Sequence, residues 1–334
     1  MSKSEIKVNI PLNLKADDSY LFKQYLNYKI SPFKISKLIA GFIHPNGNVF
    51  NLGLRSIDES VLLIEGRQKP NTNFILKELL NKKFKIDLGS NTKIVAFNDW
   101  SENYFHWCCD SLPRLIKILD TLDVKSSTVI IPESFRHLYI SDTLALLGFE
   151  DIRYIKLNEI IFSGKIVIPS YTAPTGYFNP EIIRSLSKKL REKIKDSLHY
   201  QKIYVSREKA NKRKVQNENE LFTCLEANGF KIICFEDHSF LEQLEIMYHC
   251  KYLIGIHGAG LTNMLFMHEK GKVLELRIEK ETDLNCYFIM ASALNHSYYY
   301  LSCKPADDNM TYAHYADVKV DPALFEDTLL NFIS

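Results

Sequence analysis

Three stretches of this 334-residue chain combine residue types and spacings that could support chemistry. In ENYFHWCCDSLPRL (102–115), Asn103, His106, Asp110 and Arg114 recur at helical spacing among apolar neighbours, forming one polar stripe. His106 and Asp110, four residues apart, can pair as base and orienter, or equally as a structural hydrogen-bonded pair. In YVSREKANKRK (204–214) a basic loop follows a strand-like run, with six basic residues against one acidic over 202–214. Arg207 and Arg213 can clamp a phosphate bidentately, whereas Lys209, Lys212 and Lys214 read as a solvated surface run.

The third stretch, YLIGIHGAGLTNMLF (252–266), runs from a buried strand through Gly255, Gly258 and Gly260 directly into a helix. Unsatisfied N–H groups and the positive end of a helix dipole then meet at the strand's carboxyl edge, where anions bind. The glycine order is G-x-x-G-x-G, which argues against a dinucleotide-binding oxidoreductase. His257 stands at the tip of the turn, where a polar ring has little packing to do. No D-x-D occurs, and no His, Cys or carboxylate cluster has metal-ligand spacing. A phosphate here would be neutralised by arginine and a helix terminus, with no metal and no cofactor.

These motifs need a scaffold of alternating strands and helices. Strands are expected at 202–206, 230–235, 252–256, 272–276 and 297–302. Helices are expected at 217–229, after the capping box of Ser239 and Glu242, at 284–295, and from Asp321-Pro322 to about Phe332. Continuous apolar strands of this kind imply a parallel sheet covered by helices, a Rossmann-like domain. The first half suggests a hairpin at 49–66, strands at 93–97, 127–132, 153–157 and 165–169, a helix near 135–147, and one long helix over 101–122 containing Pro113. Together these imply a second, less regular Rossmann-like domain. Between the halves, Ile182, Leu186, Leu190, Ile194 and Leu198 form one apolar stripe on a basic helix over 181–199, suited to core packing or to an anionic membrane surface. The expected division is an N-terminal domain 1–180, the connecting helix 181–199 and a C-terminal domain 200–334, with the last helix able to return to the N-terminal domain.

The charge balance of 42 − 40 = +2 is too even for non-specific nucleic-acid binding. With 46% hydrophobic and 25% charged residues, the chain has the composition of a globular protein. The opening residues show no leader and no window reaches membrane-span length, so a cytoplasmic location is expected, at most peripheral on the membrane face. Seven cysteines without a C-x-x-C imply reduced thiols.

Taken in order, NYFHWCCDSLPRL, YVSREKANKRKVQNENEL, LIGIHGAGLTNMLFM and the following VLEL resemble the signature blocks of glycosyltransferase family 61, which includes plant xylosyl- and arabinosyltransferases and animal O-linked N-acetylglucosaminyltransferases. The resemblance covers residues 103–276. It implies a GT-B fold of two facing Rossmann-like domains with parallel sheets, a nucleotide-sugar donor, usually UDP-linked, in the C-terminal one, and inversion at the anomeric carbon. Matched residue by residue, Ser206, Arg207, Arg213, His257, Gly258, Ala259, Gly260, Leu261, Thr262, Asn263 and Glu275 would bind the donor, with Glu275 on the ribose hydroxyls. Asp110, or else His106, would be the base; Asn103 and Arg114 would lie on the acceptor side. Cys108 and Cys109 depart from the family pattern, and residues 1–90 carry no signature. The implied role is a metal-independent hexosyl- or pentosyltransferase acting on a glycan or lipid-linked glycan in bacterial polysaccharide synthesis, capsule or lipopolysaccharide. Alternatives are a pyruvyl or phosphosugar transferase and a non-catalytic nucleotide-sugar-binding protein.

Overall fold

The computed structural model describes residues 3–62, 69–194, 199–307 and 315–334. The chain divides into two compact units, Met1–Ser4 with Ile30–Thr175 and Glu5–Lys29 with Gly176–Ser334. This differs from the expected division in two places: residues 5–29 and the helix Pro180–Arg191 belong to the second unit, while the last helix Pro322–Ile333 stays with it.

In the second unit Lys231–Cys234, Lys202–Ser206, Tyr252–Ile256, Lys272–Ile278 and Ser297–Pro305 lie in that order as parallel neighbours, closed by the antiparallel Val318–Lys319. Alternation divides the side chains. Ile254, Ile256, Leu274, Leu276, Tyr299 and Leu301 pack on one face with the helices Asn219–Ala227 and Pro322–Ile333, through Leu221, Leu225, Phe325 and Leu329. The opposite face carries Gly255, Glu275, Arg277, Tyr298 and Tyr300, and on it the N-terminal segment is tied down by Leu12 N–H to the Tyr298 carbonyl at 2.9 Å and by Phe22 against Phe288, Tyr298 and Tyr300. Pro180–Arg191 starts where Asn179 accepts from two backbone N–H groups and Pro180 supplies a preset φ. Its stripe residues Ile182, Leu186 and Leu190 are buried, and Ser187 bonds the Leu265 carbonyl at 2.6 Å. That apolar face is therefore spent on packing and is not offered to a membrane; Leu198 lies outside the described residues.

The first unit departs further from expectation. Its five-stranded sheet runs Ile35–Leu38, Ile166–Pro169, Thr92–Ile94, Ser127–Pro132, Ile152–Ile155, parallel except at Ile35–Leu38. A separate four-stranded sheet joins Val49–Asn51, Gly41–Ile43, Glu159–Ser163 and Lys83–Asp87. The expected hairpin at 49–66 is only a tight return around Phe50 and Ser56 beside Gly41–Ile43, and residues 63–66 lie outside the described ones. The helix expected over 101–122 is three consecutive pieces: α over Tyr104–His106, π over Trp107–Ser111 and α over Leu112–Ile116. Pro113 explains the break. It has no N–H to give and its ring crowds the carbonyl four residues back, so the preceding turn widens.

Among the described residues no helix is long and apolar enough to cross a membrane, and no cluster of His, Cys, Asp or Glu could hold a metal. All seven cysteines are free thiols.

Candidate functional site

The second unit's sheet reverses its order between Lys202–Ser206 and Tyr252–Ile256, since the second strand lies on one side of the first and the later strands on the other. Loops leaving the carboxyl ends of two such strands diverge and leave a crevice, the usual ligand position of open α/β sheets. The two loops are 207–213 and 257–260, the second and third motifs of the sequence. Gly258 lets them meet: a Cβ there would stand 3.1 Å from the Arg207 guanidinium, so the cation lies against bare backbone. Arg207 donates to the carbonyls of Arg213 (3.2 Å) and Lys212 (3.3 Å). Burial, then the neighbouring Arg213 charge, push its pKa below the ordinary guanidinium value. Arg213 is held at φ 58°, a left-handed conformation uncommon for a side chain of this size, and its Nε is buried without a partner. Two cations side by side, one strained and incompletely bonded, form a site with positive charge to spare. The lysines are engaged elsewhere: Lys209 pairs with Asp237, Lys214 reaches the Glu208 carbonyl at 2.7 Å, and Lys212 sits 4.0 Å from the centroid of the Tyr315 ring.

His257 borders the crevice with its ring 4.9 Å from that of Tyr287. Its Nδ1 bonds Glu275 Oε1, and the other carboxylate oxygen accepts from Tyr298 at 2.6 Å. Burial alone would raise the Glu275 pKa, but the charges of His257 and Arg277 and the bonds from His257 and Tyr298 hold it below the carboxylate range. Arg277 is itself fixed by Asn285 (2.9 Å) and the Glu281 carbonyl (2.7 Å). Glu275 is fully buried inside a seven-residue strand with both oxygens occupied, so the ribose-binding place expected for it is corrected: it holds His257. Ser206 is likewise committed, donating to the buried Glu218 at 2.7 Å alongside Tyr204.

Beyond Gly258 the chain forms a 3₁₀ helix, Ala259–Phe266, in place of the expected α-helix. Its first hydrogen bond runs from Leu261 N–H to the Gly258 carbonyl, which leaves the N–H groups of Gly258, Ala259 and Gly260 outside the helical ladder. Leu261, Thr262 and Asn263 are buried and serve packing; Asn263 donates to Gln243 at 3.1 Å.

In the first unit His106 Nδ1 lies 2.8 Å from Asp110 Oδ2, which also receives the Thr175 hydroxyl at 3.3 Å. The Asp110 side chain is 4% exposed and that of His106 22%, with the imidazole against Trp100. Solvent thus reaches the histidine, and the carboxylate stands behind it. Arg114 is corrected from an acceptor-side group to a structural one, whereas Asn103 is exposed and commits only its side-chain oxygen. Asn103 caps the helix by accepting from Phe105 N–H at 3.0 Å. Arg114 is 0% exposed, donates twice to the Pro169 carbonyl (2.9 and 2.7 Å) and lies 4.3 Å from the centroid of the Tyr171 ring. Arg277, missed in the sequence, had a readable signal: it and Glu275, opposite charges two apart in the otherwise apolar VLELRI, must share one sheet face.

A family described as Glycosyltransferase 61 matches residues 104–274. The EGF domain-specific O-linked N-acetylglucosamine transferase of Drosophila melanogaster is 40% identical over 87 residues, 25% of this chain and 16% of that protein. The enzymes of the same name from Rattus norvegicus (35% over 99 residues, 28% and 18%) and Bos taurus (36% over 84 residues, 24% and 16%) are similarly related. The matched stretches span less than a fifth of those relatives.

Proposed function

From the premise that this chain belongs to the Glycosyltransferase 61 family and is a glycosyltransferase, we propose that it transfers a sugar, with inversion, from a nucleoside-diphosphate sugar to a glycan hydroxyl. The observation that carries the reading is the Arg207 guanidinium against Gly258, with Arg213 beside it, at the reversal of strand order, and the Arg213 Nε buried and unpartnered.

In this reading the donor diphosphate takes up the spare guanidinium donors and the N–H groups at Gly258–Gly260. When the bond from anomeric carbon to phosphate oxygen breaks, negative charge grows on the departing diphosphate, and cations already fixed there favour that state without reorganising. His257, held through Nδ1 by Glu275, presents Nε2 to the same anion. His106 accepts the proton of the attacking hydroxyl, with Asp110 fixing the ring and balancing the imidazolium that forms. UDP is the favoured nucleotide and a polysaccharide or lipid-linked glycan the favoured acceptor. The relatives' name assigns them an acceptor on EGF domains, and the short matched stretch does not carry that acceptor to this chain.

The test is calorimetric titration with UDP, followed by a panel of nucleotide sugars assayed for nucleotide release and glycan transfer, with and without chelator. The expected result is UDP binding and transfer that survive chelation and weaken together in Arg207→Ala. Loss on chelation with restoration by manganese refutes the metal-independent donor site, and UDP binding without turnover of any donor favours a binding protein.

A further inference from the structure

Within the first unit lies a second concavity of about 320 Å³, bordered by Asn46, Asn48, Lys69, Asn71, Phe74 and Asp99. We infer that it is a subsite for one neutral pyranose ring of the acceptor, an inference that rests on the glycosyl-transfer reading above.

Its polar groups are mostly side-chain amides, each able to donate and accept, as a ring of hydroxyls requires and a phosphate does not. Asn48 is only 7% exposed, and its side-chain amide has no hydrogen-bond partner among the described residues. Such a group calls for a ligand or water partner. Asn71 spends only its oxygen, accepting from Phe74 N–H at 2.9 Å to cap the helix Thr72–Asn81. Phe74, 36% exposed, offers an apolar face beside those amides, the pairing that suits a sugar with one C–H face and a polar rim. Among the described lining residues the one cation, Lys69, is turned to Asp58 at 2.7 Å.

The wall is built before any ligand arrives. His44 is fixed by Glu78 at 2.9 Å and accepts from Asn46 N–H at 3.2 Å, while Asn46 Oδ1 accepts from Asn48 N–H at 3.1 Å. Gly47, at φ 90°, presses this turn onto the backbone of Phe97 and Asn98, where a Cβ would approach the Phe97 carbonyl oxygen to 2.2 Å. Asn98 in turn accepts from Trp100 N–H at 2.8 Å, and the Trp100 ring lies 5.1 Å from that of His106. The cavity therefore connects to the candidate base through a single residue. All its lining lies before residue 104, outside the stretch shared with the family, where a feature specific to this chain's own acceptor would reside.

The test is saturation-transfer NMR on the full chain without donor, using the methyl glycosides of glucose, galactose and N-acetylglucosamine with glucuronate as the anionic counterpart. Neutral glycosides are expected to bind, and at least about fivefold more weakly to Phe74→Ala and Asn48→Leu, with UDP affinity unchanged. Asn48→Asp, nearly isosteric, replaces Asn48→Leu if the latter does not fold. No saturation of any glycoside, equal binding by the variants, or preference for glucuronate overturns the subsite. Because no donor is present, absence of turnover in the nucleotide-sugar panel leaves these titrations readable. Intact transfer with unaltered glycoside binding in the variants removes the subsite alone.

Discussion

The candidate site of each unit holds a histidine against a carboxylate, and the two pairs are built differently. His106 and Asp110 are four residues apart on one helix; the carboxylate has one further partner, a threonine hydroxyl, and the imidazole is partly open. His257 follows one strand and Glu275 lies in the strand beside it, with a fully buried carboxylate also engaged by Tyr298 and facing Arg277. A local pair with an open imidazole suits exchanging a proton with a ligand. A networked, buried pair resists such exchange and suits holding a ring in place for an anion.

The largest expected effect separates these roles. His106→Gln should slow transfer about 10²–10⁴-fold at unchanged UDP affinity, the usual cost of a lost general base. Asp110→Asn retains an oxygen for the Nδ1–H and should lose about tenfold less. Equal losses would put the base on Asp110, and unchanged rates would make the pair structural. For stability the order reverses. Glu275→Gln leaves Arg277 buried without its counter-charge and should cost about 3–5 kcal/mol in urea unfolding, against about 1 kcal/mol for Asp110→Asn. Similar costs for the two variants would erase the distinction.

His296 sharpens the comparison because no carboxylate bonds it. It accepts from Gly271 N–H at 3.1 Å and meets the Met264 carbonyl at 3.2 Å, and burial lowers its pKa to about 4. Between roughly pH 6.5 and 4 the unfolded chain takes up a proton that the folded imidazole refuses, so its stabilising contribution is complete above 6.5 and is lost as pH falls, up to about 3 kcal/mol. His296→Gln should flatten that slope in pH-dependent urea midpoints; an unchanged slope would place the acid sensitivity elsewhere. The smallest effect concerns Arg213. Arg213→Gly removes both the charge and the left-handed strain, so stability should stay within about 1 kcal/mol while UDP binding weakens by about 1.5–3 kcal/mol. A loss of stability without loss of binding would make Arg213 a structural turn residue.

The contrast also explains what could be read in advance. The second unit follows local rules closely: the strand expected at 202–206 is Lys202–Ser206, the box of Ser239 and Glu242 caps its helix, and Asp321 caps the last one. His106 and Asp110 were visible for the same reason, because helical spacing is a local property. Glu275 looked free for a ribose because its partners, His257 and Tyr298, are brought to it by strand pairing and stand 18 and 23 residues away. Arg114 looked available because a helical stripe says nothing of the distant carbonyls that consume it. Gly41–Ile43 and Lys83–Asp87 are both joined to the distant Glu159–Ser163, a pairing that neither short run signals alone.

The widened turn at Trp107–Ser111 makes the first pair sensitive to chain length in a way that substitutions cannot reveal. A π turn accommodates one residue more than the α-helix around it, and each α-helical residue is worth about 100° of rotation. Arg114 and Leu115 are locked into the first unit's interior on one side, and Trp107 is anchored by Thr143 at 2.8 Å on the other. Deleting Cys108 or Cys109 would take away the extra residue while Pro113 still denies that turn its hydrogen bond, and would rephase one anchored end against the other. Insertions and deletions here are therefore the sequence changes to watch: one residue more or fewer turns His106 out of alignment with its scaffold, whichever side chain is added or removed.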